Sequence, residues 1–146
     1  MTISFVIPGE PVAQGRPRFR VIPRKDGGKP MVMAYDPKKS KDFKKKVATL
    51  AKVRMGGRRM LEGPLEMTIL AYFSCPASDH RKRKPALERK HTKKPDIGNV
   101  AKGIEDALEG IVYKNDSQIY QSSSCKHIAA QGVDPYIVVQ IAEQPE

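Results

Sequence analysis

Pro95-Asp96-Ile97-Gly98-Asn99-Val100-Ala101-Lys102-Gly103-Ile104-Glu105-Asp106-Ala107-Leu108 is the stretch on which the reading of this chain turns. Ile97, Val100, Ala101, Ile104, Ala107 and Leu108, continued by Ile111, fall on one side of a 3.6-residue wheel. Asn99, Lys102 and Asp106 fall together on the other, because steps of three and four residues stack on one face. Pro-Asp suits a helix start, and Gly110 suits the position just past its end. The spacing predicts an amphipathic helix with an apolar side for a core and a polar side that carries an acid, an amide and a cation.

Working outward, Leu65, Met67, Ile69, Ala71 and Phe73 alternate with Glu66, Thr68, Leu70 and Tyr72, which predicts a strand. Two more strands are expected at about 117–129 and 136–142, joined by the turn Gly132-Val133-Asp134-Pro135. Ile3 to Ile7 read as a strand stopped by Pro8-Gly9, and the first 35 residues as a loose hairpin around Gly27-Gly28. Asp36-Pro37 reads as an N-cap and first helical position. A second helix over 37–54 then places Phe43, Val47, Leu50 and Ala51 inward, under a sleeve of lysines, and Gly56-Gly57 ends it. Between strand and helix, His80 to Lys94 carries eight Lys and Arg against one acid, with no sustained apolar period. It is expected to be a flexible basic loop over about 76–94, with a short helical turn near Ala86-Leu87-Glu88. The fold class is α+β: a small mixed β-sheet packed against two main helices, in a single domain over 1–146.

Charge narrows the partners. The chain has 27 Lys and Arg against 16 Asp and Glu, a net +11. A polyanion fits that excess, because each cation placed on a phosphate releases condensed counterions. The apolar runs are too short to span a membrane, and the N-terminus lacks the pattern of a signal peptide, so a cytoplasmic protein is expected. Two cysteines make no disulfide framework, and Cys75, His80, His91, Cys125 and His127 match no common zinc spacing. No phosphate-binding glycine loop, dinucleotide fingerprint or nucleophile–histidine pattern occurs, so no small-molecule cofactor is expected. Aromatics are too sparse in the basic segments for a single-strand stacking platform. With 39% hydrophobic residues and no Trp, the core is modest, and a partner subunit would add stability.

The candidate chemistry lies between 93 and 126. Asp96, Lys102 and Asp116 offer two carboxylates and an ammonium beside a basic segment, the residue types that phosphodiester hydrolysis needs. Carboxylates can hold Mg²⁺, and a cation can steady charge on the attacked phosphate. A plainer reading also fits: Asp96 as an N-cap, Lys102–Asp106 as an i,i+4 surface pair, and Asp116 as a turn residue.

The stretch Lys94 to Leu108, followed by Val112-Tyr113-Lys114-Asn115-Asp116-Ser117-Gln118-Ile119, resembles the core of RusA-type Holliday-junction resolvases of the phage and prophage branch. Pro8-Gly9-Glu10-Pro11-Val12, Gly15-Arg16-Pro17-Arg18-Phe19 and Tyr35-Asp36-Pro37 extend the resemblance over nearly the whole chain. It implies a homodimeric, Mg²⁺-dependent endodeoxyribonuclease that resolves four-way DNA junctions. Asp96 and Asp116 would be metal ligands and catalytic, with Lys102 catalytic or DNA-orienting and Asp106 supporting. Arg16, Arg18, Arg20, Arg81, Lys82, Arg83, Lys84, Lys93 and Lys94 would bind DNA. The family's first motif reads Pro-Asp-x-Asp-Asn, and here its second aspartate is replaced by Gly98. Losing that carboxylate implies reduced activity, unless Glu66 on the neighbouring strand lends one. Two further readings accompany this one: a branched-DNA-binding protein with the same fold but impaired catalysis, and a basic RNA-associated protein.

Overall fold

The computed structural model describes residues 1–146. In chain order its elements are β1 (Thr2–Pro8), β2 (Arg18–Ile22), β3 (Met31–Tyr35), α1 (Lys38–Met55), β4 (Leu65–Phe73), β5 (Arg89–Lys90), α2 (Ile97–Leu108), β6 (Ile119–Ile128) and β7 (Tyr136–Glu143). Five strands form one mixed sheet in the order β1-β7-β4-β6-β5, and β2 and β3 form a separate two-stranded ribbon. Only β4 and β6 run parallel, as the crossover through α2 requires. The α+β class read from the sequence is the class observed.

β4 is the middle strand, and its alternation is complete: Leu65, Met67, Ile69, Ala71 and Phe73 are buried while the residues between them are half-exposed. Ile3 and Ile7 of β1 and Ile137, Val139 and Ile141 of β7 share that buried face. Both helices lie on it. α1 contributes Phe43, Val47, Ala51 and Met55, and α2 contributes Val100, Ala101, Ile104, Ala107 and Leu108. Each large side chain so buried contributes roughly 1.5–3 kcal/mol. The core is therefore a single layer between helices and one face of the sheet.

Asp36 does not cap α1. Pro37, extended at φ −54° and ψ 146°, occupies the cap position and the helix begins at Lys38. The Asp36 carboxylate instead pairs with the Lys44 ammonium at 2.8 Å. The hairpin expected across the first 35 residues is divided: β1 joins the main sheet through β7, and only β2 and β3 pair with each other. In the basic segment the helical turn lies at Ala77–Asp79, upstream of the expected place, and Arg89–Lys90 pairs with the end of β6. β1 is an edge strand, and α1 covers its free carbonyls: Lys46 donates to the Pro8 carbonyl, and Arg54 Nε donates to the Ser4 carbonyl at 2.9 Å.

Candidate active site

α2 is held by its apolar side, so its polar side faces solvent. Asp96 stands at the N-cap with extended backbone, yet its side chain accepts no capping hydrogen bond. It is exposed, and a shallow cleft of about 280 Å³ is lined by Lys94, Pro95, Asp96 and Asn99. Two contacts fix this end of the helix. Gln14 N donates to the Asn99 carbonyl at 2.9 Å. Lys126, on the helix-facing side of β6, donates from Nζ to the carbonyls of Lys93 and Pro95 at 2.5 and 2.6 Å. The sheet thereby grips two of the three residues that lead into Asp96.

Asp116 opens the one-turn helix Asp116–Gln118 that feeds β6. A reciprocal capping box holds it. Asn115 Oδ1 accepts from Ser117 N at 2.9 Å, and Gln118 Oε1 accepts from Lys114 N and Asn115 N, both at 3.0 Å. Gln118 Nε2 donates to the Leu61 carbonyl at 2.9 Å, tying the turn to the strand-side loop. Asn115 thus serves as a cap. Asp116 is half-buried, and its carboxylate forms no hydrogen bond or ion pair with the rest of the chain.

The acidic neighbour of Asp116 is Glu105, on the third turn of α2, which the sequence reading passed over. Burial raises the Glu105 carboxyl above its usual range and the Asp116 charge raises it further, while Lys102 pulls it down. Tyr113, fully buried beneath, donates its hydroxyl to the Glu105 carbonyl at 2.6 Å. A glutamate in the helix signature gives no hint of this proximity, because Asp116 arrives from another element.

Lys102 is exposed and lies 3.6 Å from Asp106, which also approaches Lys44 at 3.8 Å. The plainer i,i+4 pair is therefore real, and it leaves the Lys102 ammonium largely in solvent. Gly98 is exposed, and a Cβ built there meets nothing within 4 Å. Glu66 cannot stand in for the missing carboxylate: it lies on the face of the sheet away from α2 and accepts from the Tyr120 hydroxyl at 2.6 Å.

The donor set suits a hard divalent cation in kind, since Asp96 and Asp116 both keep carboxylate oxygens that no protein group uses. It is not a ready-made cage, because no three Asp, Glu, His or Cys side chains converge.

The basic residues occupy three places. Arg16, Arg18 and Arg20 are exposed on and before β2. Arg81, Lys82, Arg83 and Lys84 are exposed in a loop whose ends Gln131 draws together: its Oε1 accepts from Arg81 N at 2.9 Å and Ala86 N at 3.1 Å, and its Nε2 donates to the Arg81 carbonyl at 3.1 Å. Arg89 pairs with Asp79 across the same loop. Lys93 and Lys94 are exposed beside Asp96.

Known proteins are similar to this chain in sequence. The family model for endodeoxyribonuclease RusA matches residues 8–142, which includes every candidate site residue. The uncharacterized protein YqaN of Bacillus subtilis (strain 168) is 37% identical over 146 residues, covering 97% of this chain and 96% of the relative. With its mixed sheet, its polar-sided α2 and a family match over nearly its full length, this chain belongs to the RusA endodeoxyribonuclease family, whose members are hydrolases acting on DNA.

Proposed function

We propose that this protein cleaves four-way DNA junctions by Mg²⁺-dependent phosphodiester hydrolysis, as a homodimer in the cytoplasm, in DNA recombination and repair. A four-way junction has two-fold symmetry, so two equivalent sites suit the nicking of opposed strands. One observation supports the reading: in a chain of net charge +11, the carboxylates of Asp96 and Asp116 both form no ion pair, while α2, which lies between them in the chain, presents Lys102 to solvent.

Asp96 and Asp116 would hold the metal, which when bound lowers the pKa of a water and neutralises charge at the phosphate. Lys102, exposed at its tip, would meet the scissile phosphate and steady its developing charge. Lys93 and Lys94, separated from Asp96 only by Pro95, would place the adjoining backbone, and the cations on the ribbon and on the loop pinned by Gln131 would grip the duplex arms.

Cleavage of a labelled four-way junction, with and without Mg²⁺, tests this reading. Asp96→Asn and Asp116→Asn should each lower the rate at least about 100-fold while junction binding stays within a few-fold. Unchanged cleavage in either variant would remove that residue from the reaction. Gly98→Asp, for which the backbone leaves open space, should raise the rate tenfold or more. A second reading, a junction-binding protein with impaired catalysis, is favoured by the lack of any three converging acidic or histidine side chains. Tight junction binding with no Mg²⁺-stimulated cleavage, restored by Gly98→Asp, would support it.

A further inference from the structure

The ribbon of β2 and β3 has two unlike faces. Its register pairs Phe19 with Ala34 and Val21 with Val32 on one side, and Arg18 with Tyr35, Arg20 with Met33 and Ile22 with Met31 on the other. The second side turns toward α1: Arg20, Ile22, Met33 and Tyr35 line a cleft of about 310 Å³ together with Lys41 of that helix. The first side turns away from the helix and carries no polar side chain. Phe19 is 69% exposed, Val21 61% and Val32 64%, each more than any apolar residue on the cleft side. From Arg16 to Lys29 the segment holds six cations against Asp26 alone. An apolar strip left in water inside so basic a segment marks a contact surface.

We propose that this outer face of the ribbon is a wedge: it enters the branch point of a DNA junction and covers the base faces that lose their stacking neighbour there. This role rests on the junction reading above, and it gives a ligand to side chains which that reading leaves idle. Charge selects the occupant. Arg18 and Arg20 on the cleft side, and Arg24, Lys25 and Lys29 in the exposed turn at the tip, suit phosphates. A continuous duplex offers the apolar strip little, because its phosphates face outward and stacking covers both sides of every interior base pair. At a branch point the stack is interrupted, and a base pair shows one open face framed by phosphates. Apolar side chains flanked by cations match that pattern, and apolar wedges of this kind hold base steps apart. One ring and three aliphatic side chains make a wedge, although they make no platform along a single strand. A second copy on this face would bring two sets of six cations together, which their repulsion opposes.

A junction with aminopurine, a fluorescent base quenched by stacking, at its branch point tests this in EDTA, where no cleavage occurs. Wild-type protein should raise the emission at least about twofold. Phe19→Ser and Val32→Ser should each remove most of the rise and weaken junction binding about 10-fold, while affinity for a linear duplex stays within about twofold. Val53→Ser, at a 77% exposed position on α1, should change neither. Circular dichroism checks that the variants are folded. Emission that stays flat when wild-type protein is added, or a rise that survives both ribbon substitutions, would overturn the role. So would an equal loss of affinity for linear duplex, or a fall in mass by light scattering, which would give the face to a second copy. Binding to phosphatidylserine vesicles that Phe19→Ser abolishes, with the aminopurine rise intact, would give it to lipid. Opening without Mg²⁺-stimulated cleavage would sink the proposed hydrolysis and leave the wedge standing. Cleavage without a ribbon-dependent rise would do the reverse.

Discussion

Lys126 shows how the proposed site would depend on a residue that carries none of its chemistry. Its ammonium, reaching from β6 to the carbonyls of Lys93 and Pro95, replaces water at two backbone acceptors and holds the approach to Asp96 against the sheet. Charge-assisted bonds of this kind contribute about 1.5–3 kcal/mol each before the cost of drawing the ammonium from water. Lys126→Met keeps the aliphatic stem and removes both bonds. It should lower junction cleavage about 10- to 100-fold with junction affinity nearly unchanged, and Lys126→Arg should recover part of the loss. Rates and affinities measured side by side check this; equal losses in both would make Lys126 a DNA contact instead. The sequence marks Lys126 only as one more cation on a strand. Asp96, Lys102 and Asp116 could be named as candidates because they stand in the helix signature and the turn after it. Glu105 and Gln118 could not, because a carboxyl beside Asp116 and an amide reaching to Leu61 are meetings of distant segments.

At the scale of elements, the loop holding Arg81 to Lys84 unites a sequence property with a tertiary one. Its charge density is plain in the chain. Its closure by the Gln131 side chain, which satisfies backbone groups at both ends, comes from a residue about 50 positions away. Replacing Arg81, Lys82, Arg83 and Lys84 together by serine should weaken binding to all DNA. The dependence of log affinity on log salt should flatten by about 0.9 for each phosphate that the variant no longer neutralises. Titrations at several salt concentrations measure that slope, and an unchanged slope would place the loop away from phosphate. The strands and helices themselves were well marked. β4 and α2 appear where periodicity put them, since one face of each is needed for the core. α1 differs at its first turn, where Pro37 displaced the expected Asp36 cap and left that acid to Lys44.

For the whole molecule, the acid cluster around α2 predicts a pH dependence. Glu105 is partly buried near Asp116, so its carboxyl is raised, and folding favours its protonated form. That contribution is complete below the ordinary glutamate value of 4.5 and fades as pH rises through the raised folded value. Glu105→Gln should therefore stabilise the protein at pH 7.5, by no more than about 1 kcal/mol after solvent screening, and leave stability at pH 4 nearly unchanged. Thermal unfolding at the two pH values checks it, and an equal shift at both would point to packing rather than charge. The same scale separates what the chain alone determined from what folding decided. Periodicity, caps and net charge were enough for the α+β class, the polar-sided helix, the basic segments and a polyanionic partner, because each is a local or summed property of the residues. The strand order β1-β7-β4-β6-β5, the turning of Glu66 away from α2, the grip of Lys126 and the turning of the ribbon's apolar face away from α1 appeared only in three dimensions. Each depends on which distant segments become neighbours, and core packing, rather than any local preference, selects those neighbours.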